Sequence, residues 1–142
     1  MKQNVPDNLL NSLNNSALAY LGDSSAHSDL TESLLRAIEP LGAVESYCPD
    51  ASEYRYLVVS VGNVIFGLAA GMNTVAFRLS HNFCQRAIAT GGITIPALGD
   101  AWVGFILFRN DWPAVDLRFW AQKAYVHARE LSVTGSLISS AS

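Results

Sequence analysis

Apolar residues recur at three- and four-residue steps along the first forty positions, and the period shortens to two after residue 54. Leu9, Leu10, Leu13, Ala17, Leu18 and Leu21 follow a candidate cap at Asp7, which predicts an amphipathic helix over 8–21 stopped by Gly22. A polar loop, 23–28, separates it from a second helix. There Asp29 and Glu32 have capping-box spacing, Leu30, Leu34, Leu35 and Ile38 share one face, and Pro40 ends the run.

An extended piece over 43–47 leads through Cys48-Pro49-Asp50 into three strands expected at 54–61, 64–70 and 74–80. Gly62-Asn63 and Gly71-Met72-Asn73 read as hairpin connections, because glycine supplies positive φ without a steric penalty. In the third strand Val75, Phe77 and Leu79 alternate with Thr74, Ala76 and Arg78, so Arg78 is expected on the face opposite the core. The second strand, VIFGLAA, is apolar on both faces and needs cover on both, from helices or from a partner subunit.

Ser80 or Asn82 caps a short helix through Ala89, with Phe83, Ala87 and Ile88 inward, that Gly91-Gly92 terminates, and an irregular Ile93–Pro96 stretch precedes a fourth strand over 101–108. Asp111 or Trp112 caps the last helix, with Pro113 in its first turn. Its apolar stripe is Leu117, Trp120, Ala121, Ala124, Ala128 and Leu131, and the small polar tail from Ser132 reads as frayed. The expected fold is a single α+β domain over 1–142. A four-stranded antiparallel sheet, or five-stranded with one more short strand, is packed by the long C-terminal helix and two N-terminal helices, with 1–28 at the periphery.

Composition narrows the function classes. Half of the 142 residues are apolar and 15% are charged, which excludes disorder, a coiled coil and a charge-dominated tail. The 22 residues from Tyr56 to Phe77 carry no charge and are long enough to span a bilayer, but their glycines and asparagines fall where turns belong, so no membrane span is expected. A net charge of −3 gives no general attraction to phosphate backbones. The cations group only as Arg78 with Arg86 and as Arg118 with Lys123 and Arg129. Cys48 and Cys84, with no secretory pattern at the N-terminus, suit free thiols and a cytoplasmic setting.

Candidate chemistry is sparse. His81 and Cys84 are three apart on a helix, yet Cys48, His27 and His127 stand at no metal-ligand spacing, and no cofactor is implied. Asp100, Asp111, Asp116 and Glu130 are accounted for as solvent-facing residues and caps. Gly91-Gly92 precedes an extended stretch and not a helix N-terminus, which argues against a phosphate loop. Trp112 suits a staple at a helix start. Arg78 and Arg118 lie among apolar neighbours, where an exposed sheet face or an ion pair to Asp100 or Glu130 would account for them.

From Tyr56 onward the order of pieces resembles the MmcQ/YjbR-like proteins and the TfoX amino-terminal domain. The likeness rests on VGNVIFGLAAGMNTVAFRLS with its strand cation Arg78, the helix HNFCQRAIATGGI, the strand LGDAWVGFILF with Trp102 before its apolar run, and AQKAYVHA in the closing helix. It implies an α+β domain with an antiparallel sheet and a double-wing DNA-binding role. This chain differs in being poor in Lys, acidic, and longer at the N-terminus by two helices.

Three functions of different classes follow. The first is a non-enzymatic interaction module that self-associates as a homo-oligomer or engages a protein partner, from the apolar excess. The second is a nucleic-acid binder using Arg78, Arg86 and Arg118. The third is a small-molecule site where Arg78, Trp102 and Asp100 converge.

Overall fold

The computed structural model describes residues 7–21, 28–47, 56–71, 73–107 and 116–141, with the side chains of 28–29 and 133–141 set aside. Two 3-10 turns, Asp7–Leu9 and Ser12–Asn14, lead into helix α1 (Asn15–Leu21), and α2 spans Ser28–Ile38. Strands β1 (Glu45–Tyr47), β2 (Leu57–Val61), β3 (Val64–Ala70) and β4 (Thr74–Arg78) precede α3 (His81–Ala89). Then come β5 (Ile93–Thr94), β6 (Trp102–Ile106) and α4 (Leu117–Ala141). The strands form one antiparallel sheet in the order β1-β2-β3-β4-β6-β5.

The α+β class and the packing of the C-terminal helix on the sheet are as expected, but there are six strands and not four or five. The extended piece expected over 43–47 is the edge strand β1, and the other edge strand, β5 at 93–94, falls in the stretch expected to be irregular and gains its partner only from the finished sheet. The fourth strand is trimmed to 102–106. The tail does not fray at Ser132: α4 continues to Ala141, and the Ser132 hydroxyl donates to the Gly62 carbonyl (2.8 Å). The expected caps Asp111 and Trp112, with Pro113, lie outside the described residues, as do Cys48 and His27. Within the described chain, Asp116 caps α4 by accepting from the Phe119 N–H (3.1 Å).

The uncharged block is buried on both sides. On one face Leu57, Val59, Val61, Phe66, Val75, Phe77 and Phe105 meet Leu30 and Leu34 of α2, Cys84 and Ala87 of α3, and Trp120, Ala121, Ala124 and Ala128 of α4. On the other, Tyr56, Val58, Ile65, Leu68, Ala76 and Trp102 meet Leu9, Ala17, Leu21 and Leu98. All seven residues of β3 are buried. The N-terminal segment is therefore not peripheral: Leu9, Ala17 and Leu21 are each at most 2% exposed and form the cover of the second face.

A bulge sets how β3 addresses the helices. Val59 pairs with Gly67 and Ser60 with Ile65, so Phe66 is the extra residue. Phe66 and Gly67 consequently turn to the same face. The Phe66 ring meets Tyr125 of α4 edge-on at 5.9 Å, while a Cβ on Gly67 would lie 2.9 Å from a Val59 methyl and 3.2 Å from the Phe77 ring. Glycine is required there by close approach. At the β2–β3 turn it is required by conformation, since Gly62 and Asn63 both have positive φ (55° and 67°), as a two-residue type I′ hairpin demands.

The asparagines explain why 8–21 is not one helix. Asn11 accepts from the Asn14 N–H (3.2 Å), and Asn14 donates to the Leu9 carbonyl (2.9 Å), giving the backbone side-chain partners that compete with helical ones. Asn14, fully buried, also donates to the Asn63 carbonyl and accepts from the Ile65 N–H, both at 2.9 Å. Asn8 donates to the Asn63 side chain and Asn11 to its carbonyl (3.0 and 2.9 Å). The Asn-rich stretch is thus a polar latch onto the β2–β3 hairpin.

Candidate functional site

Arg78 and Trp102 do converge, but in the interior. They are cross-strand partners of β4 and β6 on the face under the N-terminal segment, with the guanidinium carbon 5.3 Å from the Trp102 ring centroid. They are 6% and 1% exposed. One Arg78 Nη donates to the Leu13 carbonyl, while the buried Nε has no hydrogen-bond partner. Desolvation lowers the Arg78 pKa from its ordinary value. No ion pair joins it to a carboxylate of a described residue. The strand alternation correctly sends Arg78 away from the α4 core, but that second face is covered, so the cation is enclosed rather than displayed.

The other expected members of that group do not join it. The Asp100 residue is exposed, and its backbone carbonyl, not its carboxylate, faces the Cys84 thiol at 3.6 Å. Arg86 is not a neighbour of Arg78 in a basic patch: it lies on α3, which packs on the opposite face of the sheet. Arg118 is exposed in the first turn of α4 and, among the described residues, is ion-paired with neither Asp100 nor Glu130. Glu130 instead lies 3.9 Å from His127 Nδ1.

His81 and Cys84 also part company. His81 is exposed and contacts the Gln85 amide (3.2 Å), whereas Cys84 is 4% exposed with its thiol directed at the Leu79 carbonyl (3.4 Å). Burial raises the Cys84 pKa, and the charge of Asp100 adds to the rise. Such a thiol is a small apolar core group. Among the described residues no three His, Cys, Asp or Glu side chains gather as a metal site would require. Gly91 and Gly92 close α3: the Gly92 N–H reaches the Ala87 carbonyl (2.9 Å) and the Gly91 N–H that of Ile88 (3.1 Å), a Schellman arrangement.

The surface where exposed side chains do converge lies between α3 and α4. Phe83 and Phe119 meet edge to face with centroids 6.5 Å apart, and Phe119 stands edge-on to Trp120 at 4.8 Å. The Arg86 guanidinium lies 5.2 Å from the Phe83 centroid, and Lys123 Nζ lies 5.3 Å from the centroids of both rings. Trp120 stacks on Phe105 of β6 (5.6 Å, 28°), which fixes this part of α4 to the sheet. Two like charges around one ring repel, and no carboxylate of a described residue forms an ion pair with either.

The local sequence dictates this surface. Phe83 and Arg86 are three apart on α3, and Phe119 and Lys123 four apart on α4, the spacings at which helix side chains overlie one another. Val126, 49% exposed, extends the Phe119 stripe by two turns; Arg118 and Arg129 lie about a quarter-turn to one side of it, and Asp116 and Glu130 stand three residues before Phe119 and four after Val126. The charge is segregated as well. Residues 1–60 hold eight of the twelve acidic side chains and three of the nine cationic ones, and the remainder of the chain carries six cations against four acids.

The fold defines a small α+β domain whose open antiparallel sheet is covered on both faces by its own helices and turns. Compared with protein families, curated proteins and solved structures, the chain matches none. Among the described residues no helix is long and apolar enough to cross a membrane.

Proposed function

We propose that this domain is a non-enzymatic interaction module that holds its partner on the α3–α4 face. The observation that carries the reading is the convergence of Arg86 and Lys123 over Phe83 and Phe119, on elements anchored to the sheet. Aromatic rings with arginine are the combination enriched at protein interfaces. The apolar surplus that suggested self-association through the sheet is taken up by two cores within one chain. The pocket reading loses support because Arg78 and Trp102 are enclosed, and the double-wing reading loses Arg78 as a contact for the same reason.

Fluorescence-anisotropy titration of labelled polyglutamate and of a short DNA duplex, each at low salt, tests the reading. Binding of either that is abolished in the Arg86→Glu/Lys123→Glu double variant supports it. No binding of any probe, or binding that the double variant retains, contradicts it. Both side chains are on the surface, so the far-ultraviolet circular dichroism of the variant should match the parent.

A further inference from the structure

We infer that the partner held on the α3–α4 face is an acidic, amphipathic protein segment, carboxylates flanking apolar side chains, and not a nucleic acid. The inference rests on the interaction-module reading and adds the chemistry of the ligand. Four observations point to it. Arg86 and Lys123 lie over the Phe83 ring and Lys123 over Phe119, and the two rings meet edge to face, so they do not form the row of parallel rings on which successive bases stack. The two cations sit within about 5 Å of one shared ring, a compact pair suited to one or two carboxylates and not a track along a phosphate backbone. With a chain charge of −3, a long polyanion meets net repulsion away from this patch.

The fourth observation is apolar. Phe119 and Val126 are 36% and 49% exposed and lie seven residues apart on α4, on the same stripe as Lys123. An apolar side chain laid between them and a carboxylate placed on Lys123 would satisfy both kinds of surface at once. A purely polar polyanion would leave Phe119 and Val126 wet. The required partner therefore alternates acidic and apolar positions at helical spacing, the way an amphipathic helix seats on a helix pair.

The test compares three labelled probes of equal charge against the full chain: a Glu/Leu peptide patterned as an amphipathic helix, polyglutamate, and a single-stranded oligonucleotide. The expected order is Glu/Leu peptide tightest, then polyglutamate, then oligonucleotide. Arg86→Glu/Lys123→Glu should weaken the Glu/Leu peptide by about tenfold or more. Val126→Ser, which leaves the Phe119–Trp120 contact intact, should weaken the Glu/Leu peptide and leave polyglutamate unchanged. An oligonucleotide that binds as tightly as the peptide, or a peptide indifferent to Val126→Ser, overturns the inference while leaving the interaction-module reading standing. Binding of no probe overturns both.

Discussion

Asn14 is the residue on which the cover of the second sheet face depends most. Its side chain satisfies the Leu9 and Asn63 carbonyls and the Ile65 N–H, each at 2.9 Å, and it has no exposed surface. The Ile65 N–H has no partner in the paired register with β4, which begins at Gly67, so asparagine stands in for a strand. Replacing it with alanine strands a buried N–H, which costs about 1–3 kcal/mol, and forfeits two further bonds at about 1 kcal/mol each. Asn14→Ala should therefore lose about 3–5 kcal/mol, a large share of the roughly 5–15 kcal/mol that holds a domain folded. Urea unfolding followed by tryptophan fluorescence measures it, as a lower midpoint at unchanged slope. Asn14→Asp keeps an acceptor for Ile65 but turns a second oxygen on two carbonyls. It should be at least as damaging at neutral pH and recover in part as pH falls towards about 4, because burial beside two carbonyls favours the protonated carboxyl, which can donate. A loss under about 1 kcal/mol for Asn14→Ala would show that the cover of the second face does not depend on this side chain.

Three other substitutions probe the interior. Arg78→Met should change stability by less than about 1 kcal/mol, because methionine carries no desolvation cost and the single bond to Leu13 is the main loss, whereas Trp102→Ala should cost about 3–5 kcal/mol; a deficit above about 2 kcal/mol for Arg78→Met in the same urea assay would contradict this. Gly67→Ala should cost about 1–3 kcal/mol by forcing Val59 and Phe77 apart, read as a drop in Tm, and Val59→Ala in the same chain should relieve part of it. Burial, outweighing the opposing charge of Glu130 and aided by that of Arg78, lowers the His127 pKa below 6.5 in the folded chain. The unfolded chain then binds the proton first. Stability is full above 6.5 and is lost as pH falls from there through the depressed folded value, so urea midpoints should decline between about pH 7 and pH 5 less in His127→Gln than in the parent.

Much of the fold was legible because its strong elements obey local rules. The alternation in β4 placed Val75 and Phe77 on one core and Arg78 on the other face, and the apolar run of β3 announced cover on both sides. What escaped depends on distant partners. The 8–21 stripe reads as one helix until Asn14 finds Asn63 and Ile65, some fifty residues away. The extension of α4 past Ser132 is tied at that residue to the Gly62 turn, and the two-residue β5 is too short to declare itself before β6 stands beside it.

The candidate site was less legible for a related reason. Arg78 and Trp102 were expected to converge and do so as cross-strand partners, but their burial depends on a segment that nothing local marked as a lid on that face. Phe83 was expected to face inward on α3 with Ala87 and Ile88; Ala87 is buried, but Phe83 is half-buried and Ile88 is 43% exposed, and the spacings of Phe83–Arg86 and Phe119–Lys123 are ordinary helix spacings. Each pair alone is a common surface feature. Only the docking of α3 beside α4 turns the two pairs into one surface.

The most direct measurement is a two-dimensional amide spectrum of the labelled protein titrated with the Glu/Leu peptide. If the α3–α4 face is the binding surface, the shifts should centre on Phe83, Arg86, Phe119, Lys123 and Val126 and leave Arg78 and Trp102 unmoved. Shifts centred on Arg78, Trp102 and Asp100, with α3 and α4 silent, would contradict it.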